Sequence, residues 1–405
     1  MRNASEVGDL CTGCGTCTSL CPTQALEMRI NEKKGVYEPV LTGACNECGV
    51  CLRVCPGLGV DFRKLNMEIF GREPDDILLG NYEACYVAHS TDEKLRYDSS
   101  SGGMVTQVLL YLLEEGLIDG ALVTRMNPEK PLEPEPFIAR TSEEIIEARG
   151  SKYCPVPANV ALREIIEIPG RYAVVGLPCH IQGIRKAELL NRKLREHIVY
   201  HLGIVCNHSP SFKATEFLLG MLGVEPGDVK GIRYRGGGWP GGLRVETEDG
   251  EILLLPEYWG SGFGQLFMPD RCQMCPDHMA ELSDMSFADP WLREFDGETQ
   301  GKTLMVTRKN PKILDKIRKK GLCEVESIEP SRVLLSQLYN IYMKKKVNMI
   351  GENIYNAEFP PIDPMDRLIA IIRPRNTKMP RKLTLKYFTF YAILASLKAR
   401  MDFFR

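Results

Sequence analysis

Eight of the fifteen cysteines lie in two segments with the same spacing, and this spacing suits iron–sulfur clusters. CTGCGTCTSLCP at 11–22 and CNECGVCLRVCP at 45–56 both follow the pattern C-x2-C-x2-C-x3-C-P. In this pattern three closely spaced thiolates bind one [4Fe–4S] cubane, and the fourth cysteine reaches the neighbouring cluster. Two structural zinc sites explain the pattern poorly, because tetrahedral zinc has no use for the crossed fourth cysteine.

The crossed spacing predicts two sets of four ligands, each combining three cysteines of one segment with the last cysteine of the other. These sets are Cys11, Cys14, Cys17 and Cys55 for the first cluster, and Cys45, Cys48, Cys51 and Cys21 for the second. Small residues such as Gly13, Gly15 and Gly49 allow the backbone to turn tightly around a cluster. We therefore predict a bacterial-type two-cluster ferredoxin domain at 1–62, which transfers single electrons.

Seven cysteines lie outside these segments, and four of them are candidates for one further site. Cys272 and Cys275 form a C-x2-C pair, which supplies only two ligands. Cys179 and Cys206 each end a predicted strand, and ligands collect at the carboxyl ends of strands in an open α/β sheet. Chemistry alone leaves three interpretations open: a third cluster, a zinc site, and a redox dithiol or structural cysteines.

Strand and helix patterns alternate in the body of the chain and predict an α/β domain with a mixed sheet. Strands are expected at 84–89, 117–125, 171–179 and 197–206, and helices at 99–116, 181–193 and 211–223. The first strand, helix and strand are expected to form a βαβ-type unit. The predicted fold class is therefore α+β/α/β. The ferredoxin domain at 1–62 is followed by a charged linker at 63–80, the α/β domain at 81–335 and a helical basic extension at 336–405.

A Ser/Gly loop, SSSGG at 99–103, opens the helix predicted at 99–116. Free backbone N–H groups and the helix dipole can bind an anion there, such as the pyrophosphate of a flavin dinucleotide. A plain helix N-cap is the alternative interpretation. The chain contains no G-x4-G-K-[ST] and no G-x-G-x-x-G that opens a predicted helix, so ordinary Rossmann and P-loop binding lose support.

Composition limits the remaining classes of function. The net charge of −2 gives no overall attraction to nucleic acid. The N-terminus lacks the apolar stretch of a secretory signal, and no window suits a membrane span, so we expect a cytoplasmic protein without a transmembrane helix. The segment 367–405 is strongly basic, with Asp402 as its one acidic residue. Its aromatic, basic pattern suits an interfacial anchor or a partner-docking helix, or else a helix packed on its own domain.

Five motifs, taken in order, resemble the coenzyme F420 hydrogenase/dehydrogenase beta subunit family. They are RYDSSSGGMVTQVLLYLLEEGLIDGALV (96–123), GSKY (150–153), GLPCHIQGIRK (176–186), YRGGGWPGG (234–242) and RCQMCPDHMAELSDMSFADPW (271–291). The resemblance covers roughly 80–330. With the ferredoxin repeats in front, the arrangement is similar to the input subunits of F420H2 dehydrogenases.

The resemblance implies FAD, coenzyme F420 as substrate, and a third [4Fe–4S] cluster in addition to the ferredoxin pair. The third cluster falls on Cys179, Cys206, Cys272 and Cys275. FAD is expected to contact Ser100, Ser101, Gly102, Gly103 and Met104, with Lys152 and Tyr153 nearby. The phosphate and glutamate tail of F420 require cations, for which Arg233, Arg235 and Lys152 are the candidates. Cys85, Cys154 and Cys323 remain as structural thiols.

The implied function is an FAD-containing iron–sulfur oxidoreductase. It takes a hydride from reduced F420 and passes single electrons through three clusters to a partner, such as a membrane quinone or phenazine reductase. The partner is expected to dock through the ferredoxin domain and the basic extension, at the cytoplasmic membrane face if it is a membrane complex. No catalytic acid or base is expected. The alternatives are a reverse or stand-alone ferredoxin-linked reductase, and an electron-transfer subunit without a substrate site.

Overall fold

A computed structural model of the chain describes residues 1–74, 76–256, 258, 263–342 and 344–345. The strands are β1 (Leu26–Asn31), β2 (Val36–Leu41), β3 (Ala84–Ser90), β4 (Gly120–Met126), β5 (Pro134–Ala139), β6 (Tyr172–Gly176), β7 (Ile198–Ile204), β8 (Val229–Arg233), β9 (Gly242–Thr247), β10 (Ile252–Pro256), β11 (Met285–Ala288), β12 (Thr303–Thr307) and β13 (Cys323–Ser327).

The α-helices lie mainly between these strands. They are α1 (Thr16–Ser19), α2 (Val50–Arg53), α3 (Phe62–Phe70), α4 (Glu93–Asp98), α5 (Met104–Glu114), α6 (Ser142–Glu147), α7 (Leu162–Glu167), α8 (Pro178–Glu188), α9 (Arg192–His197), α10 (Phe212–Leu222), α11 (Phe263–Leu266), α12 (Asp270–Gln273), α13 (Lys312–Lys319) and α14 (Pro330–Tyr342). Short 3-10 helices occur at Ala4–Glu6, Gly8–Leu10, Pro56–Leu58, Ala158–Ala161, Pro226–Asp228 and Arg293–Phe295.

The N-terminal domain combines the β1–β2 hairpin with the two cysteine segments. Helices α1 and α2 begin after Gly15 (φ 84°) and Gly49 (φ 70°), which occupy equivalent positions in the two segments. Both glycines adopt the left-handed backbone conformation, which costs glycine little. At Gly15 a Cβ atom would also lie 2.8 Å from Val160 Cγ1. The tight turn therefore serves both the cysteine loop and its close contact with the second domain.

Polar contacts join the N-terminal domain to the α/β domain. The Asn159 N–H donates to the Cys14 carbonyl at 2.9 Å, and its side-chain amide donates to Thr16 Oγ1 at 2.7 Å and to the His180 carbonyl at 2.9 Å. Asn159 is fully buried. One side chain thus bridges α1, the 3-10 helix at 158–161 and α8, which fixes the two domains against each other.

The segment predicted as a linker, 63–80, is folded. It contains most of α3, which Asp61 caps by accepting a hydrogen bond from the Lys64 N–H. Leu65 and Leu79 are buried in the apolar core. The charges that suggested a linker therefore lie on the outer faces of a packed segment.

The main sheet has the strand order β13-β3-β12-β11-β7-β6-β4-β5. Strands β11, β7, β6 and β4 are parallel, whereas β12, β3, β13 and β5 join by antiparallel pairing. This is the predicted mixed sheet. The expected β3–α5–β4 unit differs from the prediction, because β3 and β4 lie in one sheet but are separated by four strands.

The centre of the sheet is buried on both faces. Ala121 and Ala173 belong to the same apolar cluster as α5, whereas Leu122 and Val174 belong to the cluster that contains α8. Alternate residues of β4 and β6 therefore face opposite layers of helices. This burial explains why the strands are continuous apolar runs rather than alternating ones.

A second, antiparallel sheet of order β10-β9-β8 packs with α10. Leu218 of α10, Ile232 of β8 and Val245 of β9 share its apolar cluster. Strand β8 ends at Arg233, immediately before the YRGGGWPGG motif. This small sheet therefore positions that glycine-rich loop against the main domain.

A buried charge network ties together three segments of the main domain. Arg185 and Glu188 lie on α8, His201 on β7, and Asp284 just before β11. His201 Nε2 lies 2.7 Å from Glu188 Oε1, and its Nδ1 lies 3.2 Å from Asp284 Oδ2. Arg185 donates to Glu188 at 3.1 Å and to Asp284 at 3.0 Å. His201 is therefore an ion-pairing histidine. The network fixes α8, β7 and the chain before β11 to one another.

The end of the domain differs from the predicted boundary at 335/336. Helix α14 spans Pro330–Tyr342, so the boundary falls inside a helix whose Val333 and Ile341 are buried. Residues 346–405 of the predicted basic extension, including the strongly basic segment 367–405, lie outside the described residues. No helix in the described part of the chain is long and apolar enough to cross a bilayer.

We expect the wild-type protein to lose stability relative to His201→Gln as the pH rises from about 6 to about 9. Burial and Arg185 lower the pKa of His201, but Glu188 and Asp284 outweigh them and raise it. A raised folded pKa contributes stability that is complete below the unfolded value of about 6.5 and is lost as the pH rises through the folded value. Thermal unfolding midpoints at both pH values measure the difference.

His197→Gln is the matched control, because His197 Nδ1 is hydrogen-bonded to the Ile165 carbonyl at 2.7 Å and lies outside the network. Its midpoint should follow that of the wild type across the same pH range. A constant gap between wild type and His201→Gln would contradict a charged histidine in the network.

Candidate cofactor sites

The first group of thiols lines a small, partly open pocket in the N-terminal domain. Cys11, Cys14, Cys17 and Cys55 all line it, so the crossed fourth cysteine meets the three from the other segment. Burial, together with the neighbouring Cys14 and Cys55, raises the pKa of Cys11 to about 12. Burial and the same neighbours raise the pKa of Cys17. Such thiols ionise only with a bound cation, which is the chemistry of an iron–sulfur cluster.

The second group of thiols lies nearer the surface. Burial raises the pKa of Cys51, and Cys21 and Cys48 add to the effect. The N–H of Ala25 donates to the Cys21 sulfur at 3.3 Å, and the N–H of Glu47 donates to the Cys45 sulfur at 3.4 Å. Backbone donors of this kind stabilise thiolates. Cys48 is exposed, so this group reaches the outer surface of the domain.

The third group brings together cysteines that are far apart in sequence. Cys179 lies in the first turn of α8 after β6, Cys206 follows β7, and Cys272 and Cys275 lie in and just after α12. Burial raises the pKa of Cys179, and Cys206, Cys275 and Cys272 raise it further. Burial likewise raises the pKa of Cys206 to about 12, with Cys272 and Cys275 contributing. The structure therefore gathers the four cysteines that the sequence left as a possible set.

The three groups follow one another through the protein. Cys14 of the first group raises the pKa of Cys179, and Cys51 of the second group raises the pKa of Cys17. Charges act on one another in this way only at short range. The first group therefore lies between the third group and the exposed second group.

The remaining cysteines are isolated in apolar surroundings. Cys85, Cys154 and Cys323 are at most 3% exposed. Burial raises their pKa values to about 11, 12 and 11 respectively. All fifteen cysteines are free of disulfide bonds. Among the described residues, no three Cys, His, Asp or Glu side chains form a site for a single metal ion.

The Ser/Gly loop before α5 uses its side chains within the protein. Ser100 Oγ accepts a hydrogen bond from the Ser151 N–H at 2.7 Å, and Ser101 Oγ donates to Asp289 at 2.7 Å. A Cβ on Gly102 would lie 2.9 Å from the Lys302 Cα, so only glycine fits there. Any anion at this helix must therefore be bound by the first-turn N–H groups. The nearby hydroxyl of Ser99 is buried and has no hydrogen-bond partner among the described residues.

Two of the loop residues that were predicted to contact FAD support the fold of the loop. Gly103 is the N-cap of α5, with φ 79°, and Met104 is fully buried in the core under the helix start. Gly103 has no side chain, and the buried side chain of Met104 is not available to a ligand. Their contribution is to shape the backbone around the site.

Asp289 accepts hydrogen bonds from two of the motifs, and through Arg235 it is connected to a third. It follows β11 and pairs with Arg235, whose guanidinium donates to both carboxylate oxygens at 2.7 Å. Trp239 Nε1 and Ser101 Oγ each donate to Asp289 Oδ1 at 2.7 Å. Tyr153 accepts from Arg235 at 3.3 Å. This one carboxylate holds SSSGG, YRGGGWPGG and GSKY together, although no spacing signal in the sequence marks it.

Arg235 differs from the expectation of a cation open to the substrate. It is 3% exposed and its charge is neutralised by Asp289. Although burial lowers it, Asp289 raises the pKa of Arg235, which keeps the guanidinium charged. A buried guanidinium without a counter-ion is costly, which explains why the pair forms inside the fold.

Three other basic side chains form a positive region beside this loop. Lys152 donates to the carbonyls of Ala148, Arg149 and Gly150, at 2.5, 3.2 and 3.0 Å. Burial lowers its pKa to about 7, and Arg149 and Arg233 also lower it. Arg233 is exposed and lies directly opposite Arg244 in the β8–β9 pair. The Arg233 side chain has no hydrogen bond or ion pair with the other described residues, so it can accept an anionic ligand.

Arg149 was not predicted from the sequence, although it precedes GSKY directly. It pairs with Asp98 at 3.0 Å, while its buried Nε has no hydrogen-bond partner in the part of the chain that the structure describes. Like charges placed opposite one another, as Arg233 and Arg244 are, destabilise a sheet unless an anion offsets them. The unpaired donor and the opposed arginines therefore fit a negatively charged group at this surface.

His180, beside Cys179, has a packing role. Its Nδ1 accepts from the Leu177 N–H at 3.2 Å and its Nε2 is hydrogen-bonded to the Val156 carbonyl at 3.0 Å. Burial lowers its pKa to about 4, so the ring is neutral. Both ring nitrogens are hydrogen-bonded to the backbone, so His180 holds the start of α8 in place.

Comparison with known proteins identifies the fold and its family. The chain matches the family models described as "Coenzyme F420 hydrogenase/dehydrogenase, beta subunit", the N-terminal part over 85–163 and the C-terminal part over 170–331. It is 30% identical over 280 residues to the coenzyme F420 hydrogenase subunit beta of Methanothermobacter thermautotrophicus, covering 67% of this chain and 93% of that protein. The chain belongs to this family. All five motifs lie inside the matched ranges, so the predicted resemblance is confirmed.

Two further comparisons place the family fold and the N-terminal domain. Residues 10–58 match a 4Fe-4S dicluster domain, which confirms the predicted ferredoxin domain. The coenzyme F420 hydrogenase subunit beta of Methanosarcina barkeri is 28% identical over 293 residues, covering 69% of this chain and 94% of that protein. A solved structure of the F420-reducing [NiFe] hydrogenase complex from that organism superimposes with a TM-score of 0.54 at 27% identity, covering 67% of this chain and 93% of the matching chain.

We expect Asp289→Asn to lower the free energy of unfolding by about 3–5 kcal/mol, because it leaves the Arg235 charge buried without a counter-ion. Asp119→Asn is the control, since the Asp119–Arg171 pair is half-exposed and should contribute about 1 kcal/mol or less. Urea unfolding followed by tryptophan fluorescence measures both. Equal losses in the two variants would contradict the organising role of Asp289.

Proposed function

We propose that this chain is an FAD-containing iron–sulfur subunit that oxidises reduced coenzyme F420 and delivers single electrons to a partner complex. The observation that carries the proposal is the continuous series of thiol groups, from Cys179 past Cys14 and Cys17 to Cys51. When bound, the flavin would exchange hydride with F420 and single electrons with the clusters. The chain's own contribution is to hold these groups in sequence and to control their charge.

FAD is proposed to bind at the start of α5. The first-turn N–H groups, the partnerless Ser99 hydroxyl and the buried Nε of Arg149 are donors that a pyrophosphate would satisfy. Ser100, Ser101, Gly102, Gly103 and Met104 shape this loop, and Lys152 and Tyr153 lie beside it. Arg235 contributes indirectly, by fixing the glycine-rich loop through Asp289.

The site at α5 adjoins the third thiol group. Asp289 and Cys206 follow β11 and β7, which are parallel neighbours. His278 connects them: its Nδ1 is hydrogen-bonded to the Cys206 carbonyl at 3.0 Å, and its Nε2 to Gln337, which donates to the Asp289 carbonyl at 2.7 Å. A flavin at α5 and a cluster on Cys179, Cys206, Cys272 and Cys275 would therefore be neighbours, as transfer of electrons between them requires.

Coenzyme F420 is proposed to bind over the positive region. Its phosphate and glutamate groups would be held by Arg233, with Arg244 and Lys152 alongside. The names of the relatives, coenzyme F420 hydrogenase subunit beta, support F420 as the substrate. No acid or base is assigned, because hydride transfer between aligned rings needs none.

The electrons are proposed to leave through the second group, whose Cys48 is exposed. A redox partner would dock on that surface of the ferredoxin domain. We retain the basic extension as a second docking element, in keeping with its aromatic and cationic composition.

Purification without oxygen should yield about twelve iron atoms and one FAD for each chain, since three cubanes contain four irons each. The protein should oxidise F420H2 with an artificial one-electron acceptor and show no comparable activity with NADH. About eight irons would contradict the third cluster. Absence of FAD would leave an electron-transfer subunit, and preference for NADH would contradict the substrate.

Arg233→Gln should raise the KM for F420H2 by about tenfold or more, with little change in kcat, because one charge-assisted contact to the substrate is lost. Lys230→Gln is the control, since Lys230 lies on the same strand and pairs with Glu248 at the surface. Steady-state kinetics with the artificial acceptor measure both. An unchanged KM in Arg233→Gln would contradict binding of F420 at the positive region.

A further inference from the structure

A buried lysine two residues beyond the end of α14 lies beside the third thiol group. Lys344 is 4% exposed, and its charge acts on Cys275, Cys206 and Cys272, with a hydrogen bond to Cys275. A lysine is rarely buried without a negative partner. Here the neighbouring groups are the sulfurs of these three cysteines, which would be negative as thiolates of a bound cluster. Lys344 also lies beyond residue 331, where the match to the family ends.

Helix α14 fixes the position of Lys344. Gln337 is buried and hydrogen-bonded to both His278 and the Asp289 carbonyl, and Ile341 is fully buried in the adjoining core. The next residue, Lys345, forms a buried ion pair with Glu281. The chain is therefore held on both sides of Lys344, and the two successive lysines have different partners.

Lys344 is the main positive charge beside these thiols. It is the foremost charged neighbour acting on Cys206, and on Cys272 it acts more strongly than Arg271. Asp277 is the opposing acid near Cys206.

We propose that Lys344 raises the reduction potential of the third cluster and so favours electron transfer from the flavin to it. This inference rests on the proposed function, because it requires a cluster on Cys179, Cys206, Cys272 and Cys275. One-electron reduction adds a negative charge to a cluster. A buried ammonium stabilises the reduced, more negative cluster more strongly than the oxidised cluster, because the surroundings screen its charge weakly. Burial and hydrogen bonds to sulfur also set cluster potentials.

The test compares reduction potentials in the full-length protein, purified or reconstituted without oxygen. Lys344→Met should shift the reduction equilibrium of the third cluster at least tenfold toward the oxidised form, which is ~59 mV for one electron. Lys344→Arg should keep a potential close to that of the wild type. Redox titration followed by electron paramagnetic resonance measures this, and the third-cluster signal is identified as the one altered by Cys206→Ala.

The matched control is the double variant Lys345→Met with Glu281→Gln, which removes the adjacent buried ion pair without changing the net charge. Its third-cluster potential should stay close to the wild-type value. A potential unchanged in Lys344→Met would overturn the inference. So would a shift of equal size in the control, because it would trace the effect to packing.

The outcomes separate this inference from the proposed function. If the wild-type protein holds only about eight irons, the third cluster itself is wrong. If Lys344→Met fails to hold the cluster, Lys344→Gln is titrated in its place. Loss of the cluster from both neutral variants, with retention in Lys344→Arg, would replace the proposed tuning role with a structural one.

Discussion

Parallel pairing of β6, β7 and β11 is the constraint on which the proposed sites depend. Gly176 pairs with Gly203, and Ile204 with Phe287, so the three strands end side by side. Cys179, Cys206 and Asp289 follow these ends and share one edge of the sheet. A Cβ on Gly203 would lie 2.5 Å from the Ala280 Cβ, so this glycine allows the chain after the C-x2-C pair to pack over β7. Backbone pairing thus supplies the convergence that distant positions in the sequence need.

Buried positive charges perform different tasks around this edge. Arg235 forms an ion pair with Asp289 and so holds loops of the domain together. Arg185 balances Glu188 and Asp284 within a network that also needs His201. Arg233, by contrast, is exposed on a strand edge. The same residue type is therefore structural or available to a ligand according to whether a carboxylate is buried with it.

The sequence predicted best where spacing alone carries the chemistry. The crossed cysteine pattern placed Cys55 with Cys11, Cys14 and Cys17, and the structure places all four around one cavity. Strand-end position likewise singled out Cys179 and Cys206. In contrast, Asp289 was missed because its partner Arg235 lies 54 residues away and neither residue belongs to a periodic pattern. The separation of β3 from β4 was missed because the strands between them come later in the chain.

Fixing of the ferredoxin domain by Asn159 has a consequence for how electrons can move. Domains joined by free tethers carry electrons by swinging between donor and acceptor, and their rates depend on that search. Here one buried amide contacts α1 on one side and the α8 backbone on the other, and Lys186 of α8 also donates to the Cys55 carbonyl at 2.6 Å. The arrangement is rigid, so the distances between the cysteine groups of the two domains are set once, at folding.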